Sequence, residues 1–403
     1  MGETLVFRFF ICTFASKNTE ESPKTDSEAD AMILKKQQMI WMLVFTLLPL
    51  LAIAYVSWHI WCVLPLCVAL KVVAIVILVG AFLLLFAGIF RITDQLPMPL
   101  ATAIYEVGTS SVFVLLYLFI LWLIMDLGRL LHILPRTLFY DNAWVSFSVA
   151  ALMISIFVYG HLHYKHKYCE ELSIVTGKVK KPMRLVMVSD LHIGYHNQRG
   201  ELHRWVELIN KEHPDAVLIA GDIIDGSMRP LMEQKMYEEF RQIQAPIYAC
   251  LGNHEYFGGE PEAQRFYQLA GIHLLQDATA IYNDLCIIGR DDRTNQHRKS
   301  LGKIMMENQQ TIKDKYTILL DHQPYNLEQA ERQHIDFQFS GHTHHGQVWP
   351  ISWITESVYE CAFGSHQRGQ THYYVSSGLG IWGGKFRIGT RSEYVVLQIN
   401  AEH

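Results

Sequence analysis

The strongest constraint on the fold is a block of low charge in the first half of the chain. Of the 403 residues, positions 1–38 carry eleven charged side chains, positions 39–160 only eight and positions 161–403 fifty-four. Four runs without charge in the middle block are long enough to cross a bilayer core of about 30 Å as helices. These runs are Ile40–Trp58, Val72–Phe90, Gly108–Met125 and Ala143–Gly160. They predict an all-α transmembrane bundle of about four helices at residues 39–160, against the alternative of a very apolar buried bundle.

Overall composition excludes two other classes of protein. The formal net charge is −5 and the pI about 6.5, whereas a dedicated nucleic-acid binder normally has a strongly basic domain. The seven cysteines are scattered and lack the spacing of a disulfide framework or a cysteine zinc site. We therefore expect no nucleic-acid partner, and the sequence indicates no protein partner.

Basic residues near the apolar runs predict the orientation in the membrane. Lys35 and Lys36 precede the first run, and six basic residues lie at 165–184, after the last. Cytoplasmic loops carry an excess of Lys and Arg, so both clusters predict a multi-pass protein with its C-terminal domain in the cytoplasm. Arg129 and Arg136 fall on the opposite side and weaken this case. The runs contain no ionisable pair, which favours a membrane anchor over a transporter.

The flanking segments carry less information. Residues 1–38 predict a polar, disordered tail, and residues 161–182 a basic juxtamembrane linker. The Lys178–Lys181 cluster in this linker is either solvated or in contact with anionic lipid head groups, and the sequence leaves both alternatives open. Residues 183–403 form the predicted soluble domain.

Short β-rich runs alternate with helical patterns in the soluble domain, which predicts an α/β fold with two mixed sheets. Helices are predicted at Gly200–Glu212 and Leu231–Gln244. The predicted strands are Arg184–Ser189, Ala216–Ala220, Ile247–Leu251, Leu285–Ile288, Thr317–Leu320, Phe337–Ser340, Tyr373–Ser376 and Glu393–Ile399.

Five of these strands run directly into polar clusters. The clusters are DLH at 190–192, GDIID at 221–225, GNHE at 252–255, DHQP at 321–324 and GHTHHG at 341–346. Loops beyond the carboxyl ends of strands form the ligand crevice of an open α/β sheet. Carboxylates, imidazoles and one amide oxygen suit Mn, Fe or Zn rather than Ca. The clusters hold more ligands than one ion needs, so they predict two divalent ions that share a carboxylate.

This ordered set of motifs resembles the calcineurin-like metallophosphoesterase superfamily over residues 183–403. With the apolar N-terminal block and the tail residues Gly378-Leu379-Gly380, Arg387 and Arg391-Ser392-Glu393-Tyr394, the chain is most similar to transmembrane proteins with a metallophosphoesterase domain. The resemblance implies a four-layer α/β/β/α sandwich that holds a dinuclear metal centre, preceded by the transmembrane bundle.

The resemblance also implies roles for individual residues. His254 would stand beside the scissile phosphate and donate a proton to the leaving oxygen, without binding a metal. Asp225 and Glu255 would orient the ligands or His254, with a surface turn as the alternative for Glu255. The implied metal ligands are Asp190, His192 and His344 for one ion, Asn253, His322 and His342 for the other, and Asp222 for both.

Four nearby side chains receive structural interpretations. His345 falls outside the motif pattern, and His196 is expected to be structural, with a place in the pocket as the alternative. Lys385 and Arg387 are expected to form surface salt bridges, with contact to substrate phosphate as the alternative.

Together these features predict a membrane-anchored phosphoesterase that hydrolyses phosphodiester or pyrophosphate bonds with two divalent metal ions, first Mn, with Fe and Zn also compatible. Related membrane-associated proteins cleave UDP-2,3-diacylglucosamine in lipid A biosynthesis, so the resemblance makes a lipid-linked pyrophosphate of this type the specific candidate substrate. A generic phosphodiesterase or phosphomonoesterase is the alternative. A scaffold that has lost catalysis is a third, which the complete ligand set disfavours.

Overall fold

The computed structural model describes residues 47–402. The described residues divide into two compact units, one ending at Tyr159 and the other beginning at Gly160. The predicted tail at 1–38, the basic pair at 35–36 and the start of the first apolar run lie outside the described residues.

The first unit is built from apolar helices. Three of them, α2 to α4, are long and apolar enough to cross a membrane, whereas α1 is shorter over its described residues. Prolines mark two of the breaks: Pro97 caps α3, and Pro135 precedes a 3₁₀ turn at Arg136–Phe139, in keeping with the preference of proline for the ends of helices. The helices are α1 (Leu47–Val63), α2 (Val68–Ile89), α3 (Met98–Leu130) and α4 (Ala143–Lys165).

A polar contact joins α1 to α3 just beyond the charge-free runs, whose interiors were predicted to hold no ionisable pair. Nε2 of His59 lies 3.0 Å from a carboxylate oxygen of Asp126, and the Tyr55 hydroxyl donates to the same oxygen at 2.7 Å. The His59 ring stacks on Trp122 with ring centroids 4.8 Å apart. Asp126 was missed because it directly follows the last residue of the third charge-free run. Such a contact between apolar helices helps to hold them together.

The second unit contains two six-stranded sheets. The first sheet has the strand order β1-β12-β2-β3-β4-β5, and the second has the order β10-β11-β9-β8-β7-β6. The strands are β1 (Lys167–Thr176), β2 (Met183–Val188), β3 (Ala216–Ala220), β4 (Ile247–Cys250), β5 (Ile272–Leu274), β6 (Ala278–Tyr282), β7 (Leu285–Gly289), β8 (Tyr316–Leu320), β9 (Phe337–Ser340), β10 (Gly364–Arg368), β11 (Thr371–Val375) and β12 (Ser392–Ala401).

Helices connect these strands and cover both sheets. They are α5 (Arg199–Lys211), α6 (Arg229–Glu233), α7 (Tyr237–Phe240), α8 (Asn253–Gly258), α9 (Glu260–Ala270), α10 (Leu301–Glu307), α11 (Gln309–Ile312), α12 (Glu328–Arg332) and α13 (Ile351–Val358).

Three hydrophobic layers show how the sheets and helices stack. Along β2, Leu185 and Met187 belong to the core between the two sheets, while Val186 and Val188 pack with Trp205 of α5 on the outer face. This alternation is the period of two that a strand imposes on its side chains. A third core lies between the second sheet and its helices. The predicted four-layer α/β/β/α sandwich is confirmed.

The first strand of the domain lies in the segment predicted to be a linker. Strand β1 begins two residues after α4 ends and pairs in parallel with β12 over its whole length, from Lys167 opposite Ser392 to Thr176 opposite Ala401. Its alternating pattern of exposed and half-buried residues is that of an edge strand. Residues 167–176 are therefore part of the sheet, and the structured domain begins well before residue 183.

The helix predicted at Leu231–Gln244 is two short helices, α6 and α7. Lys235 between them has a φ of 49°, a left-handed conformation that a continuous α-helix cannot contain. The apolar periodicity that predicted one helix is satisfied by Leu231, Met236 and Phe240, which all reach the core under the first sheet.

Candidate metal centre

The polar clusters lie together at one edge of the sandwich. Strands β2, β3 and β4 run parallel in the first sheet, and β8 and β9 run parallel in the second. Each of these five strands ends directly before one of the predicted clusters or one residue away from it. The loops that follow them bring the predicted ligands into two groups.

The first group consists of Asp190, His192 and His344, whose ligand atoms all lie within 4.8 Å of one another. The Nε2 atoms of the two histidines are 3.1 Å apart, and Oδ1 of Asp190 lies 3.5 Å from Nε2 of His344. Asp190 and His192 are fully buried. Two imidazole nitrogens and a carboxylate oxygen converging on one point form a donor set suited to a transition metal.

The second group consists of Asp222, His322 and His342, again within 4.8 Å. Nδ1 of His322 donates to the Ala220 carbonyl at 2.7 Å, and Nε2 on the other side of the ring lies 3.1 Å from Oδ2 of Asp222. Nδ1 of His342 lies 2.9 Å from Oδ1 of Asn253. Nε2 of His342 is buried and has no hydrogen-bond partner among residues 47–402. Such a nitrogen is a suitable metal ligand.

Asp222 connects the two groups. Its Oδ2 atom lies 3.6 Å from Nε2 of His192 in the first group as well as 3.1 Å from His322 in the second. Its Oδ1 atom accepts the backbone N–H of His254 at 2.9 Å. The sequence expectation that one carboxylate is shared therefore has a matching position in the structure.

The backbone of the site is strained at the ligands themselves. Five non-glycine residues have φ between 46° and 70°, in the left-handed region, where each costs on the order of 1–3 kcal/mol. Such strain persists only where the surroundings hold it, and it concentrates at functional sites. The five residues are Asp190, His192, Asp222, His342 and His344.

Two glycines permit the close approach of the ligand loops. A Cβ atom on Gly252 would lie 2.2 Å from Oδ1 of Asp222, and one on Gly341 would lie 2.2 Å from Oδ2 of Asp190. Neither contact is possible, so both motifs require glycine for space. Neither position is among the glycines with positive φ.

The electrostatics of the site fit bound cations. Burial raises the pKa of Asp190, and the nearby charge of Asp222 raises it further. Burial would also raise the pKa of Asp222, but the imidazoles of His322 and His254 hold it well below its usual value. Burial and the charge of His322 lower the pKa of His342 to about 3, which leaves a neutral imidazole, the form that binds metals. Divalent cations would neutralise the crowded carboxylates, so the donor set fits the expected metals.

Glu255 is a fully buried residue of helix α8, and the alternative of a surface turn is wrong. Its carboxylate accepts the backbone N–H groups of Asp222 at 3.1 Å, Ile224 at 3.0 Å and Gly252 at 2.7 Å. Burial and the charge of Asp222 raise its pKa to about 7. Glu255 thereby joins the loop after β3 to the loop after β4.

His254 and Asp225 lie beside the first group. Nδ1 of His254 donates to the carbonyl oxygen of Asp225, and burial lowers the pKa of His254. Oδ1 of Asp225 lies 3.3 Å from Nδ1 of His192, the arrangement in which a carboxylate orients a histidine ligand.

Arg387 has neither of the roles expected from the sequence. It is fully buried, and its guanidinium donates to the carbonyls of His344, at 2.7 Å, and of Ser377. It therefore supports the backbone of a metal-site residue. A single arginine in a glycine-rich tail carries no sequence signal for such a role.

Three other side chains near the site have structural partners. His196 is buried and its Nε2 lies 2.8 Å from the Ile381 carbonyl. His345 lies 2.9 Å from Glu356 and is placed in none of the donor groups among the described residues. Asn197, which the sequence analysis missed, donates to the carbonyl of His192 at 3.2 Å. It follows the first motif by five residues and matches no periodic pattern.

Comparisons with known proteins match the part of the chain that contains this site. The family model described as calcineurin-like phosphoesterase matches residues 183–346, a segment that contains every predicted ligand. The Danio rerio protein named transmembrane protein with metallophosphoesterase domain is 29% identical over 350 residues, covering 79% of this chain and 78% of that protein. An uncharacterized metallophosphoesterase of Campylobacter jejuni is 28% identical over 266 residues, covering 64% of this chain and 70% of the relative.

Two further comparisons are more limited. The chain spans 63% of the length of the Helicobacter pylori metallophosphoesterases that it matches. Among solved structures, a 5′-nucleotidase precursor from Thermus thermophilus aligns at 14% identity and a TM-score of 0.31, covering 40% of this chain and 42% of that one.

The buried donor groups at one edge of the two stacked sheets, together with the family match, support a metal-dependent hydrolase. Residues 183–346 match the family model of calcineurin-like phosphoesterases. The apolar helices α2 to α4, together with relatives named transmembrane proteins, support association of this phosphoesterase with a membrane.

We expect Glu255→Gln to loosen the metal centre. The glutamine keeps the size of the side chain, but its NH₂ group would face backbone N–H donors, at a cost of about 1–3 kcal/mol. Metal content per chain and the apparent melting temperature should both fall. Glu233→Gln, at a half-exposed position on α6, is the matched control. Unchanged metal content in Glu255→Gln would contradict this role for Glu255.

Proposed function

We propose that the protein is a membrane-anchored phosphoesterase that hydrolyses phosphodiester or pyrophosphate bonds with two divalent metal ions. The observation that carries the proposal is the pair of buried donor groups that share Asp222. Asp190, His192 and His344 would hold one ion, and His322, His342 and Asn253 the other, with Asp222 serving both. Mn is the first candidate for both ions, and Fe and Zn suit the same ligands.

Two such ions would act as Lewis acids. They would neutralise negative charge on the phosphate oxygens and lower the pKa of a bound water. The protein's own contribution is to keep the ligands in place before substrate binds. Glu255 fixes the backbone on both sides of Asp222, and Asp225 orients His192. Since the protein's own groups make these contacts, little reorganisation is needed during the reaction.

The hydrogen bond of His254 determines how it can act. A carbonyl oxygen only accepts, so the proton on Nδ1 is held by Asp225, and in the neutral ring Nε2 carries a lone pair. To give a proton to a leaving oxygen, His254 must therefore be the imidazolium. Burial lowers its pKa, whereas a bound phosphate anion would raise it. We propose that substrate binding charges His254 and so prepares it as the general acid.

The membrane helices support an amphiphilic substrate. The domain begins where α4, a helix apolar enough to span a membrane, ends, which favours substrates presented at a bilayer surface. We propose a lipid-linked pyrophosphate of the UDP-2,3-diacylglucosamine type as the specific candidate, because its acyl chains would lie in the bilayer and its two phosphates would reach the metal centre. This choice rests on analogy within the family. A generic phosphodiesterase or phosphomonoesterase is the alternative.

A substrate panel tests this proposal. The full chain, stripped with chelator and reloaded with Mn, is assayed with UDP-2,3-diacylglucosamine, bis-p-nitrophenyl phosphate and p-nitrophenyl phosphate. We expect hydrolysis of the first two, with the lipid pyrophosphate preferred. Asp222→Asn should lose both metals and turnover, since one carboxylate serves both groups. Activity on the monoester alone would reject the diester proposal, and two tightly held metals with full activity in Asp222→Asn would reject the shared ligand.

The role of His254 makes a separate prediction. His254→Asn should keep both metals, while turnover falls by about 10²–10⁴, the usual contribution of general acid catalysis. The loss should be smaller for a nitrophenolate leaving group, which needs little protonation, than for an alkyl alcohol. Loss of metal from the variant would make His254 a ligand. Equal losses of turnover for both leaving groups would mean that His254 positions the phosphate and does not act as an acid.

We also propose a multi-pass topology with the catalytic domain in the cytoplasm. Its support is the basic cluster at 165–184 and the positive-inside rule. A reporter that works only in the cytoplasm should be active when it is fused to the C-terminus. A signal solely from a reporter that works outside the cytoplasm would contradict this orientation.

A further inference from the structure

A basic pocket lies on the catalytic domain where the last membrane helix ends. Its volume is about 560 Å³, within the range of small-molecule sites. We call it the juxtamembrane pocket. It is lined by Lys165, Lys167, Glu201, Arg204, Trp205, Glu207, Leu208 and Lys211.

The lining carries more positive than negative charge. It contains four basic and two acidic side chains, and both acids already have partners. Glu201 lies 3.3 Å from Arg204, and Glu207 lies 3.5 Å from His203. By contrast, Lys165, Lys167 and Lys211 have no carboxylate within ion-pair distance among residues 47–402. Lys165 and Lys211 are exposed, so the pocket presents cations that an anion can bind. Burial lowers the pKa of Lys167 well below its usual value, and an anion bound beside it would raise that pKa.

The pocket also has an aromatic floor. Trp205 is almost completely buried, and Nζ of Lys167 lies 3.6 Å from the centre of the Tyr164 ring and 5.4 Å from that of Trp205. The same ammonium donates to the Tyr164 carbonyl at 2.8 Å. These contacts fix the Lys167 side chain, so binding an anion there costs little further ordering.

The membrane supplies the anion. Lys165 is the last residue of α4, a helix apolar enough to span a bilayer, and Lys167 is the first residue of β1. Basic residues next to a membrane helix attract anionic lipid head groups. Lys178, from the basic cluster at 178–181, is engaged differently, because its Nζ lies 2.7 Å from Asp336. We propose that the juxtamembrane pocket binds the head group of an anionic phospholipid.

Lipid binding to the purified full chain in detergent tests the proposal. Native mass spectrometry would count bound dioctanoyl phosphatidylglycerol, with dioctanoyl phosphatidylcholine and inorganic phosphate as comparison ligands. Lys165→Gln/Lys211→Gln removes two exposed charges from the pocket. Lys180→Gln/Lys181→Gln removes two from the neighbouring basic segment and is the matched control. Lys167→Met keeps the packing of the side chain but removes its charge.

We expect one phosphatidylglycerol per chain to bind in preference to phosphatidylcholine. Affinity should fall about 30-fold in Lys165→Gln/Lys211→Gln, since each charge near a bilayer surface contributes about fivefold, and about fivefold in Lys167→Met. It should be unchanged in the control. Equal losses in both double variants would overturn the proposal in favour of diffuse attraction. Inorganic phosphate binding as tightly as the lipid would overturn the assignment to a head group. Metal content and phosphodiesterase activity are measured separately, so failure here leaves the proposed function untouched.

Discussion

Two carboxylates buried side by side are the constraint on which the site depends. Asp190 and Asp222 lie at the ends of adjacent strands, shielded from water, where like charges destabilise each other. The protein surrounds them with imidazoles and with backbone N–H donors from His342 and His254. To deliver these groups, the loops adopt left-handed turns and the neighbouring strands end in glycines with no room for a side chain. This arrangement is suited to binding divalent cations.

The strands and the ligands they carry could be predicted from the sequence because both depend on local patterns. Apolar runs of the right length predicted Ala216–Ala220 and Phe337–Ser340 with the bounds that the structure has. Since each run is followed at once by its polar motif, the edge at which the motifs meet followed from strand direction alone. The four-layer sandwich was predicted from the resemblance of these motifs to a known superfamily.

The features that the sequence analysis missed depend on contacts between distant parts of the chain. Strand β1 has a polar, alternating pattern and is stabilised by β12, more than 220 residues later. Arg387 donates to backbone carbonyls, and no sequence pattern indicates that they lie near it. His59 and Asp126 meet only because two helices pack together. In each case the partner, rather than the residue's own neighbours in sequence, determines the conformation.

The junction at α4 and β1 has a consequence for how the catalytic domain can be isolated. The Tyr164 hydroxyl donates to Asn197 at 2.8 Å, and Asn197 in turn holds the carbonyl of His192. The backbone N–H of Arg387 donates to the Gly160 carbonyl at 3.0 Å. A soluble fragment that starts at residue 183 would expose the edge of β12 and remove these supports. The end of the membrane helix is thus a structural member of the catalytic domain, and a fragment intended to be active should retain residues from Gly160 onward.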